Sequence, residues 1–442
     1  MDKEKLLKWK YATFKRLNMM NSYYFALEPF YKKNLSLDES MFKDSLLSKN
    51  KWLYIHVPYC VTECSYCACT KMALKNKEDT KKYVEYLIKE LKFFYELNWK
   101  KRLVFNTLTF GWWTPSILSV EDIRTVFKWI YEYIDKSHLT QISFECAPYT
   151  MTKEKIDLMK KVWVDRISFW IQSLDKKVLD ENNRPYIPKE KIWELIEYIH
   201  ELWIYIEWDL IVWIRGQSVR TLLEDVQFLL SKWVDDITFN YFSPHIFSKY
   251  TDSKETVELK ERFKLIDKKL VENGQIIWSY QIQERFIRSS RRYSIIWLWY
   301  WATSNLWNSF IYVKDSLDEY YNLIDNRILP VSSWIYMDDK FEYIRYIYWE
   351  IIKWEIDIDK AKEIFWFCLL DYFSKEFTFL IDEWIIETDW KKVKLIADID
   401  KSFVYLSVFI DDVIEDSELE IPNNLPENMD IILRQMIYDY II

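Results

Sequence analysis

From residue 51 to residue 242 the chain alternates short β-branched runs with amphipathic helical stretches, and this alternation narrows the fold more than any other feature. Runs at 52–57, 103–110, 141–146, 166–172, 205–212 and 236–242 read as strands. Helical spacing lies between them at 80–97, 153–162, 188–202 and 219–231. In the first of these, Tyr83, Leu87, Leu91 and Phe94 share one face. Ser119 and Asp122 have the spacing of a capping box and open a further helix. Repetition of strand, helix and strand predicts a parallel sheet covered by helices. In parallel α/β sheets the chemistry gathers at the C-terminal ends of the strands.

The first strand runs directly into cysteines. Cys60, Cys64 and Cys67 are spaced C-x3-C-x2-C, Cys69 follows, and these are four of the chain's six cysteines. Thiolates so close together on a short loop suit a soft metal centre. Three such ligands leave one iron of a [4Fe-4S] cluster with an open position, where an exogenous molecule can bind. A disulfide framework calls for an oxidising compartment and usually a small chain. Here there are 442 residues, and no secretory leader is read. Structural zinc usually takes a second C-x2-C pair, and the chain has none. Cys146 and Cys368 stand alone and read as core residues.

With Tyr66 before its third cysteine, the motif resembles that of the radical S-adenosylmethionine (SAM) superfamily. Tyr54-Ile-His-Val-Pro-Tyr-Cys60 ahead of it and Cys67-Ala-Cys69-Thr-Lys71 after it resemble the oxygen-independent coproporphyrinogen III oxidase (HemN) family. The resemblance runs, with gaps, from about residue 51 to about residue 403. It implies an α/β fold: a partial (β/α)6 barrel over 49–301, an N-terminal helical arm over 1–48, and a winged-helix-like α+β domain with an acidic tail over 302–442. Helices at 351–364 and 368–383, then a hairpin of 385–388 and 392–395, are expected in that last domain.

The resemblance also implies a site. Cys60, Cys64 and Cys67 would ligate the cluster, flanked by Tyr54 and Tyr66. The main chain at Trp112, Trp113 and Thr114 would receive the amino group of SAM. Glu145, Gln172, Arg184 and Asp209 would hold its carboxylate and ribose, and a second SAM if one binds. Cys69 would be catalytic: it separates the oxidase from the related haem chaperone HemW, which lacks it. The haem-binding H-N-x-x-Y-W stretch of HemW is absent, the matching region reading Ser289-Ser290-Arg291-Arg292-Tyr293-Ser294. The implied activity is reductive cleavage of SAM to a 5′-deoxyadenosyl radical. Oxidative decarboxylation of the propionates of coproporphyrinogen III to vinyl groups comes next. Electrons would come from a donor such as flavodoxin or ferredoxin. A HemW-like chaperone, or a radical SAM enzyme acting on another tetrapyrrole, for instance opening haem, are the alternatives.

Composition bounds the rest. The formal charge is −8, which gives no encouragement to a nucleic-acid partner. No apolar run approaches the roughly 18 residues of a membrane span, so a cytoplasmic protein is expected. One balance is abnormal: 3 Gly stand beside 24 Trp. Average usage would give a chain this long about 30 Gly. Gly111-Trp112-Trp113-Thr114-Pro115 stands where the family has G-G-G-T-P, and Trp163, Trp170, Trp213, Trp297, Trp299 and Trp301 also fall on family glycines; with glycine at 384 and 390 the expected hairpin gains an Asp-Gly turn. UGA is read as Trp in some genetic codes and as Gly in others. Many of these tryptophans are therefore expected to be glycine.

Overall fold

The computed structural model describes residues 3–18, 51–67, 72–74, 77–112, 114–212, 214–241, 294–299, 303–306, 309–314, 316–336, 339–352, 355–397 and 399–411. Helix α1 (Lys3–Asn18) is followed by strands β1 (Lys51–Val57), β2 (Tyr59–Cys60) and β3 (Met72–Ala73). Then come α2 (Lys77–Leu97), β4 (Thr107–Trp112), α3 (Val120–Tyr133), β5 (Gln141–Cys146), α4 (Lys153–Lys161) and β6 (Arg166–Gln172). The alternation continues through α5 (Lys176–Glu181), α6 (Lys189–Glu201), β7 (Tyr205–Val212), α7 (Val219–Ser231) and β8 (Asp236–Tyr241). Strands β9 (Ser294–Leu298), β10 (Thr303–Leu306), β11 (Ser309–Val313) and β12 (Val331–Tyr336) complete the main sheet, with α8 (Leu317–Asp325) before β12.

The sheet order is β12-β11-β10-β9-β1-β4-β5-β6-β7-β8. From β9 to β8 all seven strands run parallel, as in a partial barrel; β10, β11 and β12 continue the sheet antiparallel. The expected parallel sheet is therefore present, with one more parallel strand than the six anticipated, and it runs on to Tyr336.

Period-2 alternation assigns the two faces. One file from each strand is apolar and buried against the helices: Leu53 and Ile55, Leu108 and Phe110, Ile142 and Phe144, Ile167 and Phe169, Ile206 and Trp208. The predicted face of α2, with Tyr83, Leu87, Leu91 and Phe94, is buried in the same core. Burial of each such side chain contributes about 1.5–3 kcal/mol. Local signals start the helices as expected: Ser119 accepts from the Asp122 amide and Asp122 accepts from the Ser119 amide, both at 3.1 Å.

Two expectations are corrected. The strand expected over 103–110 is β4, beginning at Thr107. Leu103 instead forms an isolated bridge to Ile134, and Asn106 ties back to Lys51. Leu103 and Phe105 are buried, so their apolarity marks core rather than strand. The helix expected over 351–364 is broken: α9 (Asp339–Ile352) ends, β13 (Glu355–Asp357) intervenes, and α10 (Ile358–Phe365) restarts. Asp357 starts α10: its backbone pairs with Lys392 in a sheet and its carboxylate accepts from the Lys360 amide at 2.9 Å.

After α10 come α11 (Leu369–Tyr372), α12 (Ser374–Asp382), β14 (Ile386–Thr388), β15 (Lys392–Leu395) and α13 (Ile399–Tyr405). The predicted hairpin is β14–β15, and β13 adds a third strand in the order β13-β15-β14. This part has its own apolar cluster, and α1 belongs to it. Trp9 packs edge-on against Phe379 and Tyr405, and its Nε1 donates to Asp411 Oδ1 at 2.6 Å.

Candidate functional site

The inward file of the main sheet is polar. Thr109, Ser143, Glu145, Ser168, Glu207, Asp209, Thr238 and Asn240 alternate with the apolar residues of the outer face. These groups bond across the strands: Thr109 to Ser143 at 2.7 Å, Thr238 to Glu207 at 2.6 Å, and Arg166 to Glu207 as a buried ion pair. A barrel that only had to pack would fill this space with branched apolar side chains. The alternation is written in Q-I-S-F-E-C and D-I-T-F-N-Y, and it is the signal for a polar interior that motif spacing misses.

The cysteine loop leaves β2 at the C-terminal end of β1. Cys60 and Cys67 are partly exposed and Cys64 is buried. The loop is held from below by the turn after α5. Ser65 N–H donates to the Asn182 carbonyl at 3.0 Å, and Asn183 Nδ2 donates to the Glu63 carbonyl at 2.8 Å. Cys60 Sγ lies 3.1 Å from Thr114 Oγ1. Arg184 Nη1 donates to Cys64 Sγ at 3.5 Å, and its Nη2 donates to the Trp170 carbonyl. Burial pushes the Cys60 thiol up, while Thr114 and the Arg184 charge pull it down. Burial alone would depress the Arg184 guanidinium, but Tyr66, Cys64 and Tyr149 outweigh it and hold the group above its ordinary value. Arg184 is thus a half-buried cation, held by the Trp170 carbonyl, beside thiol sulfur.

The other expected residues fall on the same rim or just inside it. Tyr54 and Glu145 meet over Gly111: a Cβ there would lie 2.6 Å from Glu145 Oε1 and run into the Tyr54 hydroxyl. Only bare backbone fits between them. Tyr66 is buried, and desolvation drives its hydroxyl pKa well up. Gln172 ends β6 with φ at 72°, and its buried Oε1 accepts no hydrogen bond. Asp209 already accepts from Ser168 at 2.6 Å and from Asn240 at 2.9 Å. Trp112 is the last residue of β4; Trp113 and Cys69 lie outside the described residues.

Tyr149 was not anticipated. It follows β5, and its ring centroid lies 5.8 Å from the Arg184 guanidinium carbon. Nothing in its sequence neighbourhood announces it, because it is brought to the cysteines only by the strand-end geometry. The turns after β4 and β5 are tied to each other as well: Lys155 Nζ donates to the carbonyls of Ser116 at 2.6 Å and Thr150 at 2.8 Å.

Comparison with known proteins gives the class. Residues 54–229 match the model of the radical SAM superfamily. The fold is HemN-like: the solved coproporphyrinogen III oxidase (HemN) of Escherichia coli superposes with a TM-score of 0.70 at 17% identity, covering 87% of this chain and 95% of that chain. Among curated proteins, the heme chaperone HemW of Buchnera aphidicola is 28% identical over 176 residues, which is 40% of this chain and 46% of the relative. The oxygen-independent coproporphyrinogen III oxidase of Synechocystis is 26% identical over 176 residues, 40% of this chain and 37% of the relative. The chain thus spans less than half the length of these curated relatives.

The superfamily implies a [4Fe-4S] cluster and SAM, and the residues present fit both. Three cysteines, none of them in a disulfide, beside a half-buried guanidinium suit an anionic iron–sulfur centre. Among the described residues no three His, Cys, Asp or Glu side chains converge as a single-ion site. A four-iron cluster does not ask for that, since each thiolate binds a different iron. The unsatisfied carbonyl of the Gln172 side chain suits a polar ligand at the rim. No described helix is long and apolar enough to cross a membrane.

Proposed function

We propose that this chain is a radical SAM enzyme that decarboxylates propionate side chains of a tetrapyrrole, coproporphyrinogen III being the first candidate. The observation that carries the reading is the meeting of the cysteine loop, Thr114 and Arg184 at the mouth of a polar barrel. Cys60, Cys64 and Cys67 would hold the cluster. Bound there with SAM, the cluster supplies the radical chemistry.

The chain's own residues position and shield. Arg184 sets a positive charge against the thiolate edge, and Thr114 braces Cys60. Gln172 offers an acceptor to SAM, and Tyr54 and Glu145 close over Gly111 to shape the wall. Asp209, held by Ser168 and Asn240, keeps its carboxylate inside the barrel, where it favours cationic or donor groups of the ligand. Cys69 is assigned the step on substrate that separates decarboxylation from SAM cleavage. In that step a propionate loses one hydrogen atom, CO2 and one further electron to leave a vinyl group. The electron passes to an acceptor outside the chain, and a flavodoxin or ferredoxin supplies the reductant.

The test is anaerobic turnover of reconstituted protein with SAM and coproporphyrinogen III. The reading requires 5′-deoxyadenosine, CO2 and vinyl product in proportion. A HemW-like haem chaperone is the second reading, favoured by the sequence similarity to HemW. Tight haem binding with no decarboxylation would select it. 5′-Deoxyadenosine formed only with haem or another tetrapyrrole would select a different substrate for the same chemistry.

A further inference from the structure

Twelve non-glycine residues among those described have positive φ, and eight of them are tryptophan: Trp99, Trp163, Trp203, Trp233, Trp299, Trp366, Trp384 and Trp390. Their φ values run from 52° to 99°. L-residues with a Cβ avoid this region, and bulky ones avoid it most. Tryptophan has no short polar side chain that could compensate locally, as asparagine has. Chance does not gather one bulky residue type into the region where glycine belongs.

The hydrogen bonds define what these positions are. Trp163 follows α4, with its own N–H on the Lys160 carbonyl and the Val164 N–H on the Met159 carbonyl. Trp203 after α6, Trp233 after α7 and Trp384 after α12 repeat the pattern, each with the next residue bonded five positions back. All four are Schellman ends, in which the C′ residue is left-handed and is ordinarily glycine. The apolar contact that accompanies the motif is present as well: Val164 and Met159, Ile204 and Ile199, Val234 and Leu229, Ile385 and Leu380 are all buried. Trp366 ends α10 in the left-handed conformation, and Trp390 follows Asp389 in the β14–β15 turn. Most of the indoles bury little at these ends: Trp203 is 89% exposed, Trp366 88% and Trp233 83%. Trp299 has the most extreme φ, 99°, with its N–H bonded to buried Glu90 at 2.9 Å.

We infer that these eight positions are glycine in the protein as its own cells make it, their codon being UGA read as glycine. The inference rests on backbone conformation, and so stands apart from family resemblance and from the proposed activity. It adds Trp99, Trp203, Trp233 and Trp366 to positions that motif comparison could reach. It also separates tryptophans. Trp9 is buried inside helix α1 with its Nε1 bonded to Asp411, and is a true tryptophan encoded by UGG.

Two measurements test it. The coding DNA and tryptic peptides of the protein purified from source cells are read first. UGA codons with glycine-bearing peptides at the eight positions, and UGG with tryptophan at position 9, are expected. UGG at the eight, or UGA with tryptophan in the peptides, overturns the inference. UGA at position 9 as well overturns the separation. The second measurement compares thermal melting of the chain with tryptophan and with glycine at the eight positions. The glycine chain melts at a higher temperature; an equal or lower midpoint means that the left-handed turns do not require glycine, and overturns it independently.

Discussion

Arg184 Nη1 lies 3.5 Å from Cys64 Sγ, which puts a permanent, half-buried cation against one of the three proposed ligand cysteines. The two residues are 120 positions apart, and only the turn after α5, clamped under the loop through Asn182 and Asn183, brings them together.

A cation there stabilises the more negative, reduced state of an iron–sulfur centre. Arg184→Gln is expected to lower the cluster's reduction potential by on the order of 50–100 mV, about 1–2 kcal/mol for one electron at an effective dielectric near 20. Potentiometric titration followed by electron paramagnetic resonance measures this. An unchanged potential with iron retained would show that the charge is screened from the cluster.

Iron content reads out the ligands. Replacing Cys60, Cys64 or Cys67 by Ala is expected to abolish the cluster in each case. Cys146 is buried at the end of β5 with its thiol pKa driven up by burial, so Cys146→Ala should keep full iron. Full iron in Cys64→Ala would remove the basis of the proposed function.

Cys69→Ala should keep the cluster and still produce 5′-deoxyadenosine, while vinyl product disappears. The two products are quantified in one anaerobic assay. Normal decarboxylation by the variant would reduce Cys69 to a packing residue.

Gln172→Ala deletes a buried carbonyl that accepts nothing in the free protein. SAM affinity should fall about tenfold, roughly 1.4 kcal/mol, while the melting midpoint holds or rises. Isothermal titration and thermal melting separate the two effects. A fall in both would make Gln172 structural rather than a ligand contact.

Glu90 makes stability depend on pH. Burial raises its pKa from 4.5 to about 7, against the opposing hydrogen bonds from the Tyr320 hydroxyl and the Trp299 N–H. The folded state therefore holds this proton more tightly than the unfolded chain. The contribution is full below about 4.5 and is lost as pH rises through about 7, on the order of 3 kcal/mol in all. Denaturant titrations across this window should show that slope in the parent and lose it in Glu90→Gln. The same slope in the variant would assign it to other groups.

Much of the fold is legible in residue patterns. Tyr83, Leu87, Leu91 and Phe94 give away α2 because a helix returns every fourth side chain to one face, and Ser119 with Asp122 gives away the start of α3. The run at 103–106 misled because burial and strand pairing both select apolar residues, and only the bonds of Asn106 distinguish them. The helix that reads as continuous is interrupted by β13, and α10 restarts at Asp357 because its carboxylate caps the new helix while its backbone joins a sheet.

Cysteine spacing, the strand–helix alternation and the excess of tryptophan over glycine are legible without any structure. These are local properties, set by periodicities of two and of about four and by residue chemistry, and they need no knowledge of distant neighbours. Tertiary structure alone decided that Arg184 and Thr114 face the cysteines, that Tyr149 joins them, and that Gly111 must be bare between Tyr54 and Glu145. It alone showed which tryptophans stand in left-handed backbone. Strand register and helix ends set these relations across tens to hundreds of residues, because a parallel sheet gathers the ends of distant segments onto one rim.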